Sequence, residues 1–246
     1  MFVSVIMPYF KKRRFIDESI NSVLNQSYKN YEIIIIYDDE NLDDFFYLKK
    51  FQKKNDRITI LKNDRNKGAG YSRNLGIKNS KGDFVAFLDC DDVWKNNKLE
   101  YQIDFMKKNN VDISFTAYDI INHQNKVIGE RTAKKILNFQ DLIKSCDIGL
   151  STVVMKRYLL TENYKFASLR TKEDYTLWLK LAKSAYNFYG INQKLSQWRR
   201  LDNSLSSNNL QKIFDAYKVY NKYMNYNKIF SLICLLRLSF NYFLKK

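Results

Sequence analysis

Apolar positions fall along this chain in two alternating rhythms. Val3–Met7 is a short apolar run, Tyr31–Tyr37 is a continuous one, and Ile58–Leu61 is a third. An unbroken run such as Tyr31–Tyr37 suits a central parallel strand covered on both faces. Between these runs, Phe15–Leu24 carries apolar residues at 16, 20, 23 and 24, which share one helical face, and Asp43–Lys54 also reads as a helix. Strand, helix, strand, helix, strand predicts an α/β fold with a mostly parallel central sheet flanked by helices. In such sheets, ligands bind outside the carboxyl ends of the strands.

The pattern continues with Phe84–Leu88, a buried strand that stops on Asp89, Asp91 and Asp92. Leu99–Met106 follows as a helix with an apolar stripe, and Asp112–Tyr118 and Lys126–Ile128 as a strand pair. Asn138–Ser145 reads as a short amphipathic helix, Gly149–Met155 as a further strand, and Thr171–Ala182 as a helix burying Trp178, Leu181 and Ala182. Pro8, the only proline, is expected to end the first strand. The tail, Ile229–Lys246, is the most apolar part of the chain, too short for a bilayer span and interrupted by Arg237. It predicts either an amphipathic helix in a membrane interface or a helix packed on the domain.

Composition narrows the function. With 246 residues, 45% hydrophobic and 28% charged, the chain can bury a full core. A formal charge of +16 admits nucleic acid, anionic membrane or phosphate-bearing small molecules as partners. The aromatic residues fall mainly in strands and on helix faces, so nucleic acid is not expected. Three separated cysteines, Cys90, Cys146 and Cys234, offer no zinc spacing and suit a reducing cytoplasm, and the start lacks a signal-peptide pattern. The single histidine, His123, lies in a predicted hairpin turn, which leaves acid–base work to carboxylates.

Several groups carry candidate chemistry. Two unit charges about 4 Å apart repel by about 4 kcal/mol at an effective dielectric near 20, so the strand-end aspartates call for a counter-cation. Oxygen-only ligands select Mg²⁺ or Mn²⁺. Gly68–Gly76 suits a loop and helix N-terminus facing an anion, with Arg73 adding forked donors. Arg199 and Arg200 precede the polar stretch Asp202–Asn209, in the manner of a lid closing on phosphates. Thr171 and Asp174 resemble a capping pair, and a carboxylate held at a helix start can also take a proton from a hydroxyl.

In order along the chain, these segments resemble the family 2 glycosyltransferases of the GT-A fold. Val3–Tyr9, including Pro8 and Tyr9, resembles the family's opening strand, and Ser22–Tyr28 its first helix and turn. Ser72-Arg73-Asn74-Leu75-Gly76 is similar to its Ala-Arg-Asn-x-Gly segment, Asp89-Cys90-Asp91-Asp92 to its metal-binding Asp-x-Asp, and Glu173-Asp174 to its catalytic Glu-Asp. The resemblance spans residues 1–207, a nucleotide-sugar half (1–95) and an acceptor half (96–207), with 208–246 as a helical tail.

The resemblance implies an inverting, non-processive enzyme with a nucleotide-diphosphate-sugar donor, a glycan or lipid-linked acceptor, and Mn²⁺ or Mg²⁺. Asp91 and Asp92 would hold the metal, Asp89 the metal or the ribose, and Asp174 would act as base. Pro8, Tyr9, Gly68, Arg73, Asn74, Arg199 and Arg200 would serve the donor, Arg73 and Arg199 at its diphosphate. Two departures stand out. Tyr37 occupies the first position of the usual Asp-Asp-Gly-Ser, leaving Asp38, or Asp39 in a shifted register, for the base of the nucleotide. Gln197-x-x-Arg200 ends on Leu201 where processive members have tryptophan, and no multi-span membrane region follows, which favours a single sugar addition; the expected location is the cytoplasm or the inner face of the cell membrane. The competing expectation is a non-catalytic basic module for nucleic acid or anionic lipid.

Overall fold

The computed structural model describes residues 1–201 and 209–244, so the stretch expected to act as a lid lies almost wholly outside the described residues. Strands β1 (Val3–Tyr9), β2 (Tyr31–Tyr37), β3 (Ile58–Lys62) and β4 (Phe84–Phe87) alternate with helices α1 (Ile16–Leu24), α2 (Leu42–Lys54) and α3 (Ala69–Lys78). These strands pair in parallel in the order β3-β2-β1-β4, so β1 is the point from which the chain winds first to one side and then to the other. Side chains in a strand alternate between faces. Accordingly Ile33 and Ile35 enter one core with Ile16, Ile20 and Leu48, and Ile34 and Ile36 enter the opposite core with Trp178 and Leu181. Both faces of β2 are dry, which is why its sequence shows no polar alternation.

The rest is mixed. Helix α4 (Lys98–Asn109) follows the two-residue strand β5 (Val93–Trp94). β6 (Ile113–Ile121) turns through His123 into β7 (Val127–Arg131), the hairpin expected there. Next come β8 (Ile136–Leu137), α5 (Phe139–Leu142), β9 (Val154–Lys156), α6 (Glu173–Lys183) and β10 (Phe188–Arg199). The sheet continues β4-β9-β6-β10-β5, with β9 and β5 antiparallel to their neighbours and β6 parallel to β10. Helices α7 (Asn209–Lys218) and α8 (Lys228–Leu244) close the described chain, and Cys234 and Leu238 of α8 join the core beside α6. The tail helix therefore packs by one face, and among the described residues no helix is long and apolar enough to cross a membrane.

Three local expectations change. Pro8 does not end β1, because its missing N–H falls on the β4 side, beyond the last β1–β4 rung at Ile6 and Phe87. Of the strand expected over Gly149–Met155, only Val154–Met155 pairs into the sheet, because Leu150–Thr152 coil into one tight helical turn. β10 is the longest strand and was not expected; Asn192, Gln193 and Lys194 are exposed where it bulges against β6, which breaks the period-two pattern.

Gly76 sets the distance between α3 and the sheet. A Cβ there would lie 2.6 Å from Ile6 Cγ2 and 2.7 Å from Ile36 Cδ1, both in the dry core. Gly76→Val is expected to lower unfolding free energy by about 1–3 kcal/mol in urea denaturation. An unchanged midpoint would mean that α3 can lift off the sheet without cost.

Candidate active site

A cleft of about 570 Å³ opens at the carboxyl ends of β1 and β4. The chain leaving β1 supplies Pro8, Phe10, Lys11 and Lys12, and the chain leaving β4 supplies Asp89 to Asp92. The opposite wall carries Tyr118 and Trp198, and the start of α6 brings Arg170, Lys172, Glu173 and Asp174. Strand winding outward from β1 leaves a crevice at this edge, so the carboxylates gather where the topology opens.

The aspartate loop is built from behind. Asp92 is buried; its Oδ2 accepts from Ser151 Oγ at 2.6 Å and its Oδ1 from the Arg199 backbone N–H at 2.9 Å. The Arg199 guanidinium is equally occupied. Nε donates to the Asp91 carbonyl at 2.7 Å, Nη1 to the Asn122 carbonyl at 3.0 Å and to the Asn125 side chain, and Nη2 to Glu18 at 2.8 Å. Asp92 and Arg199, expected at metal and diphosphate, are thus the struts that shape the loop. Asp91 and Asp89 remain toward the cleft. Asp91 Oδ2 meets Lys12 Nζ at 2.6 Å.

Arg73 reaches in from α3 and is 3% exposed. Nη2 bonds Asp89 at 2.7 Å and Nη1 bonds Glu173 at 2.6 Å, so one guanidinium ties the tip of β4 to the first turn of α6. It acts as an internal clamp where the sequence suggested a diphosphate contact. The capping pair does not form. Lys172, with φ of 65°, stands at the N-cap without a side-chain cap bond, and the Thr171 N–H and hydroxyl both donate to Asp215 of α7 at 3.0 Å. Among the described residues, Asp174 Oδ1 accepts from its neighbour's backbone, Tyr175 N–H, at 2.7 Å.

Burial pushes the carboxyls of Asp91, Asp92, Glu173 and Asp174 upward from their ordinary range. Lys12 opposes the rise at Asp91; Arg73 does so at Glu173, and Arg73 and Lys172 at Asp174. A cleft whose carboxylates are desolvated and incompletely neutralised fits a hard divalent cation. Among the described residues no three His, Cys, Asp or Glu side chains converge to cage one. That suits an ion held by one or two carboxylates and completed by phosphate and water.

The other expected residues lie apart from the cleft lining. Asp38 is buried and holds the loop before α3, accepting from Asn63 at 2.6 Å and from the Lys67 and Gly68 N–H groups at 2.8 Å. Gly68 has φ of 86°, a left-handed conformation that favours glycine. Asp39 accepts from Lys11 N–H at 3.2 Å and Glu40 N–H at 2.8 Å. The Tyr9 hydroxyl is taken by Asp44, and Asn74 makes a two-way bond with the Phe166 backbone at 2.9 Å each way. Arg200 is exposed and lies over the Trp198 ring.

Lys12, Ser151, Arg170 and Lys172 were not singled out from sequence. Lys12 carried a usable signal, since it follows a strand end in an α/β pattern. Ser151 carried none.

The family model described as Glycosyl transferase family 2 matches residues 4–163. The chain is 39% identical over 213 residues to the Escherichia coli protein named UDP-Glc:alpha-D-GlcNAc-diphosphoundecaprenol beta-1,3-glucosyltransferase WfgD, covering 86% of this chain and 82% of that one. Among solved structures, S. aureus TarS 1-349 in complex with UDP-GlcNAc superposes with a TM-score of 0.75 at 20% identity, over 96% of this chain and 70% of that one. The Pyrobaculum calidifontis mannosyltransferase PcManGT, in complex with GDP-Man and Mn2+, superposes with a TM-score of 0.70 at 13% identity, over 92% and 65%.

Removing the Arg73 charge would leave Asp89 and Glu173 unpaired. Arg73→Met is expected to cost about 3 kcal/mol of stability by urea denaturation, and Arg73→Lys to recover only part, because one ammonium cannot fork to both carboxylates. A loss below about 1 kcal/mol for Arg73→Met would show that the two ends do not depend on the bridge.

Proposed function

Because the chain belongs to glycosyltransferase family 2, we propose that it moves one sugar from a UDP-sugar to a hydroxyl of a lipid-linked diphosphate glycan, inverting the anomeric centre. The observation that carries this reading is Asp174, a carboxylate raised by burial and facing the same cleft as Asp89 and Asp91. WfgD, similar over most of its length, is named for a UDP-glucose donor and a diphosphoundecaprenol acceptor. TarS, of the same GT-A fold, has been solved with UDP-GlcNAc.

In this reading the donor lies over the β1 and β4 ends, and the acceptor hydroxyl approaches from the side of α6. Asp174 accepts the hydroxyl proton as that oxygen bonds to the anomeric carbon, and the bond to the diphosphate breaks with its electron pair leaving on the diphosphate. Asp91 and Asp89 would hold Mn²⁺ or Mg²⁺, which when bound supplies Lewis-acid neutralisation of the leaving group. Asp92, Ser151 and Arg199 keep the aspartate loop in register, and Arg73 fixes its distance from α6. Lys12 stands beside Asp91 as a cation for the donor phosphates. Arg170 and Lys172, at the α6 end of the cleft, suit the acceptor diphosphate, and Trp198 offers a face for a sugar ring.

The test is transfer from a panel of UDP-, GDP- and dTDP-sugars to a synthetic lipid-diphosphate N-acetylglucosamine, with and without Mn²⁺. Metal-dependent transfer from one UDP-sugar is expected, and binding of none of the nucleotides by calorimetry with metal present would sink the reading. Asp174→Asn should lower kcat by about 10²–10⁴-fold with little change in donor affinity.

The pH dependence has a definite sign. A base must be ionised, and burial raises Asp174, so kcat/KM should fall as pH drops through a value above the ordinary aspartate pKa of about 3.9. The limb belongs to the Glu173–Asp174 pair and should vanish in the residual activity of Asp174→Asn. A limb at the ordinary position would count against Asp174.

A further inference from the structure

The two C-terminal helices present a surface that the catalytic reading does not use. In α8, Ile229, Leu232, Ile233, Leu236, Phe240 and Leu244 fall on one side at helical spacing and are all exposed, Leu236 at 69%. The opposite side is the packed one, with Ser231, Cys234 and Leu238 buried and Asn241 bonded to the Lys144 carbonyl at 2.9 Å. Helix α7 repeats the pattern: Asp215 and Ala216 face in, while Leu210, Ile213 and Phe214 are exposed, Leu210 at 80%. The two helices pack against one another, so these apolar rows belong to one corner of the molecule.

The charges around the rows are one-sided. Residues 209–244 carry Lys212, Lys218, Lys222, Lys228 and Arg237 and one acidic residue, Asp215. Asp215 is 1% exposed and is used by Thr171, so no acidic side chain in this stretch faces outward. Lys218 Nζ lies over the Phe214 ring, 4.2 Å from its centre, so a cation borders the apolar row of α7. With 17 residues α8 is about 25 Å long, less than the hydrocarbon thickness, and its packed side cannot leave the core, so it would lie in an interface and not cross it.

The geometry points to a docking face for an anionic lipid bilayer: the exposed rows of α7 and α8 enter the boundary between headgroups and acyl chains, and the flanking lysines and Arg237 meet lipid phosphates. Apolar area together with basic residues is the combination by which interfacial helices bind. A second copy of the chain is disfavoured as the occupant, since pairing these faces would bring together two sets of cations, Lys218, Lys222, Lys228 and Arg237 from each copy. The face also adjoins the cleft, because Lys212 of α7 is among the cleft's lining residues.

The test is flotation of the full chain with vesicles of phosphatidylcholine alone and of phosphatidylcholine mixed with phosphatidylglycerol. Wild type is expected to float with the mixed vesicles, and binding to fall by about ten-fold or more in the double variant Leu232→Asp, Leu236→Asp. Both positions are exposed, and an unchanged circular dichroism spectrum verifies the fold. Lys218→Gln with Lys222→Gln should weaken binding to the mixed vesicles by about five-fold per charge and leave binding to phosphatidylcholine as it was. Independently, Leu236→Trp should shift tryptophan emission to the blue on adding mixed vesicles. Failure of wild type to float, wild-type binding by the aspartate variant, or no emission shift would each overturn the inference. So would a dimer in sedimentation equilibrium without lipid that the aspartate variant disperses, since the face would then be a self-association surface.

Discussion

Much of this molecule depends on a single buried cation held between two anions that are 84 residues apart in sequence, Asp89 and Glu173. Each carboxylate lies at the end of an element whose position is set by packing: one at the tip of a strand in the parallel half-sheet, the other on the first turn of a helix buried against the opposite core. Arg73 is nearly devoid of solvent, so its charge must be met by protein. The same guanidinium therefore bridges Asp89 and Glu173 through Nη2 and Nη1, leaves its Nε buried without a partner among the described residues, and fixes the width of the cleft between the two acids.

Around that bridge, the polar residues divide by task. Asp92, Ser151, Arg199 and Asn122 form a dense network behind the aspartate loop, bonded to one another and to nearby backbone. Asp38 and Asn63 do the same for the loop that leads into α3. What faces the cleft is smaller: Asp89, Asp91, Asp174 and a few cations. Rigid polar scaffolding behind a short set of reactive groups is what preorganisation requires, since a group that must first be oriented loses part of its advantage.

How much of this could be read from the chain differs by element. The parallel half was legible because Ile33–Ile36 and Val3–Met7 are buried on both faces, and burial on both faces leaves an unmistakable apolar run. β10 was not legible, because its bulge exposes Asn192–Lys194 in the middle of the strand. The aspartate cluster and the Glu-Asp pair were legible as residues, but their partners were not. Nothing local to Arg73 names Glu173, 100 residues away, and nothing local to Ser151 names Asp92. Isolated motifs also invite the assumption that each arginine faces the ligand, whereas Arg73 and Arg199 are buried and each bonds to protein through two or more of its nitrogens. Register adds what motif spacing could not: Tyr9 sits opposite Tyr37, which puts Asp38 on the first residue past the strand, with its carboxylate on the α3 loop.

The bond between Thr171 and Asp215 joins α7 to the residue just before the α6 N-cap, two positions from Glu173 and three from Asp174. Both the N–H and the hydroxyl of Thr171 end on that one carboxylate, so α7 cannot shift against the start of α6 without breaking two hydrogen bonds to a buried acid, and the wall of the cleft that α6 begins is braced from outside by the C-terminal helices.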